Sequence, residues 1–206
     1  MRRLLVILAI CGGACFASTT FTVGSIAETG SFTISLNAPL GESFVAPAGP
    51  ISSFGVGLVA ANPGATPAGV TLTFLSGDGT GGSTVGSVTT TAPGGGSGVP
   101  LWVDTNVSGI SLTPGSTYTA VLSSSTVYWG WISSGLDGNI YANGTLYANG
   151  AAVTGPVQDA VFRFTFDTPE PGTVGLVLMG LALVGAKLRV PAKTQRSQRK
   201  TKDATI

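Results

Sequence analysis

The stretch Asp159–Phe166, which reads DAVFRFTF, shows most directly how this chain folds. Phe162, Phe164 and Phe166 occupy every second position, and polar or β-branched residues stand between them. Successive side chains of a β-strand point to opposite faces, so this spacing places the three rings on one face. The stretch therefore predicts a strand that turns a phenylalanine face toward a hydrophobic core.

The rest of the central region, residues 18–167, follows the same pattern. Its apolar or alternating runs are short, no long stripe has the helical period, and turn signals such as Asn62-Pro63-Gly64 and Asn149-Gly150 separate the runs. The predicted strands are Phe21–Ser25, Ser31–Leu36, Ile51–Ala60, Val70–Leu75, Thr84–Thr90, Leu101–Asn106, Thr117–Ser123, Val127–Ile132, Asn139–Tyr147 and Asp159–Phe166. Many short strands at this spacing predict an all-β domain, a β-sandwich or jelly-roll-like fold.

The glycine- and serine-rich stretch Ser76–Gly98 is predicted to be mostly a long loop, of which part pairs as a strand. Gly77, Gly79 and Gly82 within it spell GxGxxG. A dinucleotide site would need a helix next, and small polar residues follow instead. The sequence therefore predicts a flexible loop here and no cofactor site.

Composition and charge also restrict the function. Charged residues make up 9% of the 206 residues, against about 25% in an ordinary soluble domain. Residues 18–167 hold seven acidic residues and one base, Arg163, which gives this region a net charge of −6. Such a region repels phosphates, so a DNA- or RNA-binding function is excluded.

Residues 1–17, MRRLLVILAICGGACFA, have the layout of a secretory signal peptide. Arg2 and Arg3 form the positive region, Leu4–Ile10 is a short apolar run, and Ala17 is a suitable residue before the cut. We expect export through the Sec machinery. The alternative is a buried N-terminal helix.

Cys11 and Cys15, the only two cysteines of the chain, lie in this same segment. After cleavage the mature protein would have no thiol and no disulfide. Lipidation of one of them is the alternative, although Ile10 and Gly12 do not fit the residues expected before a lipidated cysteine.

The C-terminal segment, residues 168–206, combines a proline motif, an apolar run and a basic tail. Pro169 and Pro171 stop any strand. The uncharged run Thr173–Ala186 has 14 residues, or about 21 Å of helix at about 1.5 Å per residue. Lys187 and Arg189 follow it, and a positive flank stays in the cytoplasm. A transmembrane helix is therefore predicted over residues 173–190, with a basic tail over 187–206.

The order of these three elements resembles the PEP-CTERM sorting signal. The motif residues are Pro169, Glu170, Pro171, Gly172 and Thr173. The resemblance implies a protein exported by a Gram-negative bacterium that makes exopolysaccharide, and recognition of its tail by an exosortase, an integral-membrane enzyme resembling cysteine transpeptidases. The protein would be anchored in the inner membrane before processing and would then reach the cell surface or extracellular matrix.

Two features depart from the family pattern. Thr168 stands where valine is common, and sixteen residues, Pro191–Ile206, follow the predicted span. The alternative is a plain membrane anchor, which has the same topology.

The sequence predicts no enzyme. It contains no histidine, which removes Ser-His-Asp and Cys-His catalysis and the commonest metal ligand. Carboxylate pairs could cleave glycans, and the acids available are Glu28, Glu42, Asp78, Asp104, Asp137 and Asp159. We expect these to be solvated turn residues. No metal site is predicted, with structural calcium at Asp137 and Asn139, joined by Asp78 or Asp104, as an alternative.

Tyr128, Trp129 and Trp131 are the candidate ligand-binding residues. Exposed rings of this kind stack on sugars, whereas core packing is the other role open to them. The leading hypothesis is a structural or interaction protein at the cell surface, associated with exopolysaccharide or biofilm matrix. A carbohydrate-binding module that uses these three residues is the alternative, and a glycan-active enzyme ranks third.

Overall fold

A computed structural model describes residues 16–28, 30–60, 66–96, 98–126, 129–135 and 137–169. The chain divides into one unit, Ser18–Thr168, and a second that comprises Met1–Ala17 and Pro169–Ile206. The described residues contain strands and no helix, and so none that could span a membrane. The predicted transmembrane helix and all but the last two residues of the predicted signal peptide lie outside the described residues.

The described chain forms twelve strands. They are β1 (Phe16–Val23), β2 (Gly30–Thr33), β3 (Leu40–Val45), β4 (Ile51–Ala60), β5 (Ala68–Ser76), β6 (Thr84–Ala92), β7 (Pro100–Asn106), β8 (Thr117–Ser124), β9 (Trp129–Ser133), β10 (Leu146–Ala148), β11 (Ala151–Ala152) and β12 (Phe162–Pro169). Sheet A has the order β1-β12-β4-β9-β2, with β7 also paired to β4, and sheet B has the order β11-β10-β3-β8-β5-β6. Both sheets are antiparallel, which confirms the all-β prediction.

The inner faces of the two sheets meet in one hydrophobic core. Phe44 of sheet B lies 5.3 Å, between ring centroids, from Phe54 of sheet A. Phe54 in turn stacks on Phe162 at 5.6 Å. Phe162 and Phe164 are buried and Phe166 packs against the core, so the predicted phenylalanine face of β12 is confirmed.

Sequence patterning located most strands but missed β3. Leu40 and Phe44 point into the core, and the period of two places Glu42 on the same inner face between them. An acid in the middle of the run hid its apolar alternation. The strand predicted at Thr84–Thr90, within the stretch Ser76–Gly98, is confirmed: it is β6 (Thr84–Ala92), which pairs along its length with β5.

The predicted strand Asn139–Tyr147 is wrong except at its end, where β10 begins at Leu146. The backbone N–H groups of Ile140 and Tyr141 donate to the carboxylate of Asp159, at 2.5 and 3.0 Å, instead of to a neighbouring strand. The Asn149-Gly150 turn is confirmed: both residues have positive φ, 54° and 78°, and they join β10 to β11.

Candidate functional site

The last strand carries the start of the predicted sorting motif. β12 pairs with β4 from Phe162 to Phe166 and ends at Pro169, which has no N–H to donate to a neighbouring strand. Near this end the hydroxyls of Thr165 and Thr20 lie 2.9 Å apart. The motif therefore begins directly where the β-domain ends, and its remaining residues, 170–173, lie outside the described residues.

The two predicted sugar-stacking tryptophans belong to the core. Trp129 is 0% exposed and Trp131 is 1% exposed. The Nε1 of Trp131 donates to the carbonyl oxygen of Val161 at 2.8 Å. β9 is covered on both faces, so alternation along this strand leaves no ring in solvent. The sugar-stacking prediction is therefore wrong for Trp129 and Trp131, and Tyr128 lies outside the described residues.

A different tryptophan, which the sequence reasoning did not single out, lies on the outer face of sheet A. Trp102 is half-buried, and the guanidinium carbon of Arg163 lies 4.4 Å from its ring centroid. Arg163 also forms a two-pronged ion pair with Asp104, with Nε to Oδ1 at 2.8 Å, and this ion pair raises the pKa of Arg163. Gly55 lies between the ion-pair partners on the central strand β4. A glycine in the middle of a predicted strand, here Gly55 in β4, is the sequence feature that could have indicated this cluster.

Two acids are brought together inside the domain. Glu42 and Asp159 are both 0% exposed. Oε2 of Glu42 accepts the backbone N–H of Ala160 at 2.9 Å. Burial raises the pKa of Glu42 well above its usual range, and the charges of Asp159 and Asp78 raise it further. Burial likewise raises the pKa of Asp159, against the lowering effect of its two backbone hydrogen bonds.

A polar cavity of about 260 Å³ lies beside this pair, lined by Ser43, Asp78, Thr117, Ala142, Asn143, Gly144 and Thr145. The hydroxyl of Tyr147 donates to Oδ1 of Asp78 at 2.8 Å. Burial and this hydrogen bond raise the pKa of Tyr147 to about 12. Asp78 is thus held by a neutral partner.

The other predicted acids are dispersed. Burial and the neighbouring Asp137 raise the pKa of the half-buried Glu28, and Asp104 is engaged by Arg163. Within the described ranges no group of three or more histidine, cysteine or acidic residues could hold a metal ion. Structural calcium at Asp137 and Asn139, joined by Asp78 or Asp104, stays the alternative to the prediction of no metal site. Gly77 and Gly79 have positive φ and lead into the strand β6, so no helix follows the glycine motif.

Family comparison matches residues 167–190 to the PEP-CTERM protein-sorting motif. The chain is a PEP-CTERM motif-containing protein. The match starts in the last residues of β12 and includes the proline motif, the apolar run and its first basic residues. This motif supports an exported protein that is recognised by an exosortase, processed at the membrane and sorted to the cell surface.

No curated protein matches this sequence significantly. Among solved structures, the VP2 subviral particle of infectious bursal disease virus is similar with a TM-score of 0.27 and 19% identity, over 76% of this chain and 42% of that one. A mutant VP2 of the same virus gives a TM-score of 0.26 and 19% identity, over 75% and 41%. The chain spans about two fifths of the length of these VP2 chains.

Proposed function

We propose that this protein is a non-catalytic structural or interaction protein of a Gram-negative cell surface, associated with exopolysaccharide or biofilm matrix. A signal peptide at residues 1–17 directs it to the Sec machinery, and the helix at 173–190 holds it in the inner membrane until an exosortase acts. Its jelly-roll-like β-domain is then displayed outside. The sorting motif at the end of β12 is the observation that carries this proposal.

The placement of the acids supports a non-catalytic role. Glu42 and Asp159 are the two carboxyl groups whose surroundings most resemble those of a catalytic acid–base pair, since burial raises the pKa of each. Both are fully buried, so a polysaccharide cannot reach them. A catalytic carboxyl must come within hydrogen-bond reach of the atom that it protonates or deprotonates.

The outer face of sheet B supports an interaction role. Its two outermost long strands present hydroxyl pairs to solvent: Thr71 with Thr89 at 2.8 Å and Thr73 with Ser87 at 3.0 Å. β5 and β6 contain no charged residue. These two strands offer neutral donors and acceptors that can hydrogen-bond with sugar hydroxyls, and neither strand contains a cation for a phosphate.

The intact mass of the protein in fractions of its native host tests the proposal. We expect surface material to lack residues 1–17 and the segment that follows Pro171. A Glu170→Ala variant should remain in the inner membrane with its tail, because the motif is no longer recognised. An Asp203→Ala variant is the matched control: it removes an acid from the same tail beyond the motif and should be processed normally.

Surface material of the native chain that retains the apolar run and basic tail would refute exosortase processing. Normal processing of the Glu170→Ala variant would show that the motif is not what the enzyme recognises.

A further inference from the structure

Glu42 is an acid on the core-facing side of a strand. It lies between the inward-pointing Leu40 and Phe44 of β3 and is fully buried. Its Oε2 accepts the N–H of Ala160 at 2.9 Å. Its Oε1 has no hydrogen-bond partner in the described part of the chain. A β-carbon added to Gly144 would lie 2.7 Å from Oε1, so the oxygen sits directly against the backbone of that residue.

Asp159 is the second buried acid of this region, and it also accepts hydrogen bonds from the backbone. Its Oδ2 accepts the N–H groups of Ile140 and Tyr141, and its Oδ1, like Oε1 of Glu42, has no partner among the described residues. The two acids tie three stretches of backbone together, namely β3, the turn at residues 140–144 and the strand entry at 159–160. This connected region is called the clasp below.

Among the residues that the structure describes, no positive charge compensates the clasp. The groups that act on Glu42 are Asp159, Asp78 and Tyr147, all acidic or neutral. Arg163, the one base of residues 18–167, is engaged by Asp104. A buried carboxylate without a partner is strongly destabilising, and such a group takes up a proton instead.

We propose that the clasp is a pH-sensitive latch: with Glu42 and Asp159 protonated it holds the segment 138–160 on sheet B, and their ionisation releases that segment. The released segment lines the polar cavity beside Asp78 through residues 142–145, so release opens this end of the domain. The pH that the exported protein meets would therefore set how much of segment 138–160 is exposed.

The direction of the effect follows from proton binding. Burial raises the pKa of both acids, so the closed state binds more protons than the open one. The latch is fully closed below the ordinary pKa values of the two acids, 4.5 for glutamate and 3.8 for aspartate, and weakens as pH rises through the raised pKa values.

Hydrogen exchange of the full chain in mild detergent, followed from about pH 5 to about pH 9 and corrected for the intrinsic exchange rate, tests the latch. In the native chain the opening of segment 138–160 should increase by up to about tenfold per pH unit for each of the two acids that ionises, over part of this range. Glu42→Gln keeps an oxygen for the N–H of Ala160 but cannot ionise, so its pH dependence should be weaker. The variant Glu42→Gln with Asp159→Asn should show none.

Asp167→Asn is the matched control: it neutralises a partly exposed acid at the end of β12 and should leave the pH dependence intact. An unchanged pH dependence in the doubly substituted variant would overturn the proposal. So would closure by calcium at high pH that occurs in the native chain and not in Glu42→Gln, because the pair would then bind a cation and not protons. If the variants do not fold, the infrared C=O band of protonated carboxyl in the native chain near pH 7 decides: its absence refutes the latch.

Discussion

Single residues in this protein take their importance from where the sheets meet. Phe44 is the clearest case, since its ring contacts those of Phe54, Phe74, Tyr118, Phe162 and Phe164 at centroid distances of 5.3 to 6.4 Å. These partners come from both sheets. One side chain therefore joins the two layers, and its removal would leave a cavity that neither sheet can close alone.

We expect Phe44→Ala to lower the free energy of unfolding by about 3–5 kcal/mol, because transfer energy and cavity formation add. Denaturant unfolding of the full chain in detergent measures it. Phe21→Ala is the control: this ring is 41% exposed although it stacks on Phe164 at 5.2 Å, so its loss should cost clearly less. Equal losses for the two variants would contradict the assignment of Phe44 to the centre of the core.

At the scale of elements, sheet A depends on a glycine in its longest strand. β4 pairs with β12 on one side and β7 on the other, with Arg163 and Asp104 both opposite Gly55. A β-carbon at position 55 would lie 2.2 Å from Oδ1 of Asp104 and 2.9 Å from Cγ of Arg163. The glycine therefore gives the ion pair room to cross its strand.

Gly55→Ala should destabilise the domain by about 1–3 kcal/mol, because the ion pair must move. Gly69→Ala in β5 is the matched control: its nearest neighbour would be Cγ2 of Thr89 at 3.8 Å, an ordinary contact. That variant should be neutral or more stable by up to about 1 kcal/mol, since alanine loses less backbone entropy than glycine in a strand. Thermal unfolding of both variants makes the comparison.

The double-mutant cycle adds a second check. The cost of Gly55→Ala should shrink in an Asp104→Ala background, because the clashing oxygen is gone. If Gly55→Ala costs the same in both backgrounds, or nothing in either, the close approach does not constrain this strand.

Elements differed in how well the sequence predicted them, and the reason is physical. β4 was predicted with its observed bounds, Ile51–Ala60, and β12 was found from its alternating rings. In both strands the apolar residues of the strand itself indicate that it packs in the core. β3 was missed because Glu42 lies on its buried face, and an acid is buried there only through backbone donors that come from residues far along the chain.

At the scale of the whole molecule, charge and processing signals are separated along the sequence. The body from 18 to 167 has a net charge of −6, while the remaining bases lie near the two ends. An acidic, histidine-free β-domain in front of a sorting motif is suited to display outside the cell. The proposed association with polysaccharide belongs to this scale, since it concerns the processed molecule in its surroundings.

We expect enzymatic digestion of the exopolysaccharide to release the processed protein from the cell surface without detergent. The Glu170→Ala variant, held in the inner membrane, provides the control and should be released by detergent only. Recovery of the protein on fractionated cells, with and without digestion, gives the measurement. Processed protein that stays with digested cells would refute the association with matrix.

The sequence by itself determined the all-β class, the alternating strand at the end of the domain and the PEP-CTERM motif, because period, composition and a linear motif are local properties of the chain. Only the tertiary structure decided which side chains face solvent. It buried Trp129 and Trp131, brought Glu42 to Asp159, and passed Arg163 across Gly55 to Asp104. Each of these arrangements brings together segments that are distant in sequence. The burial of a side chain at such a contact depends on which residues the other sheet or loop places beside it.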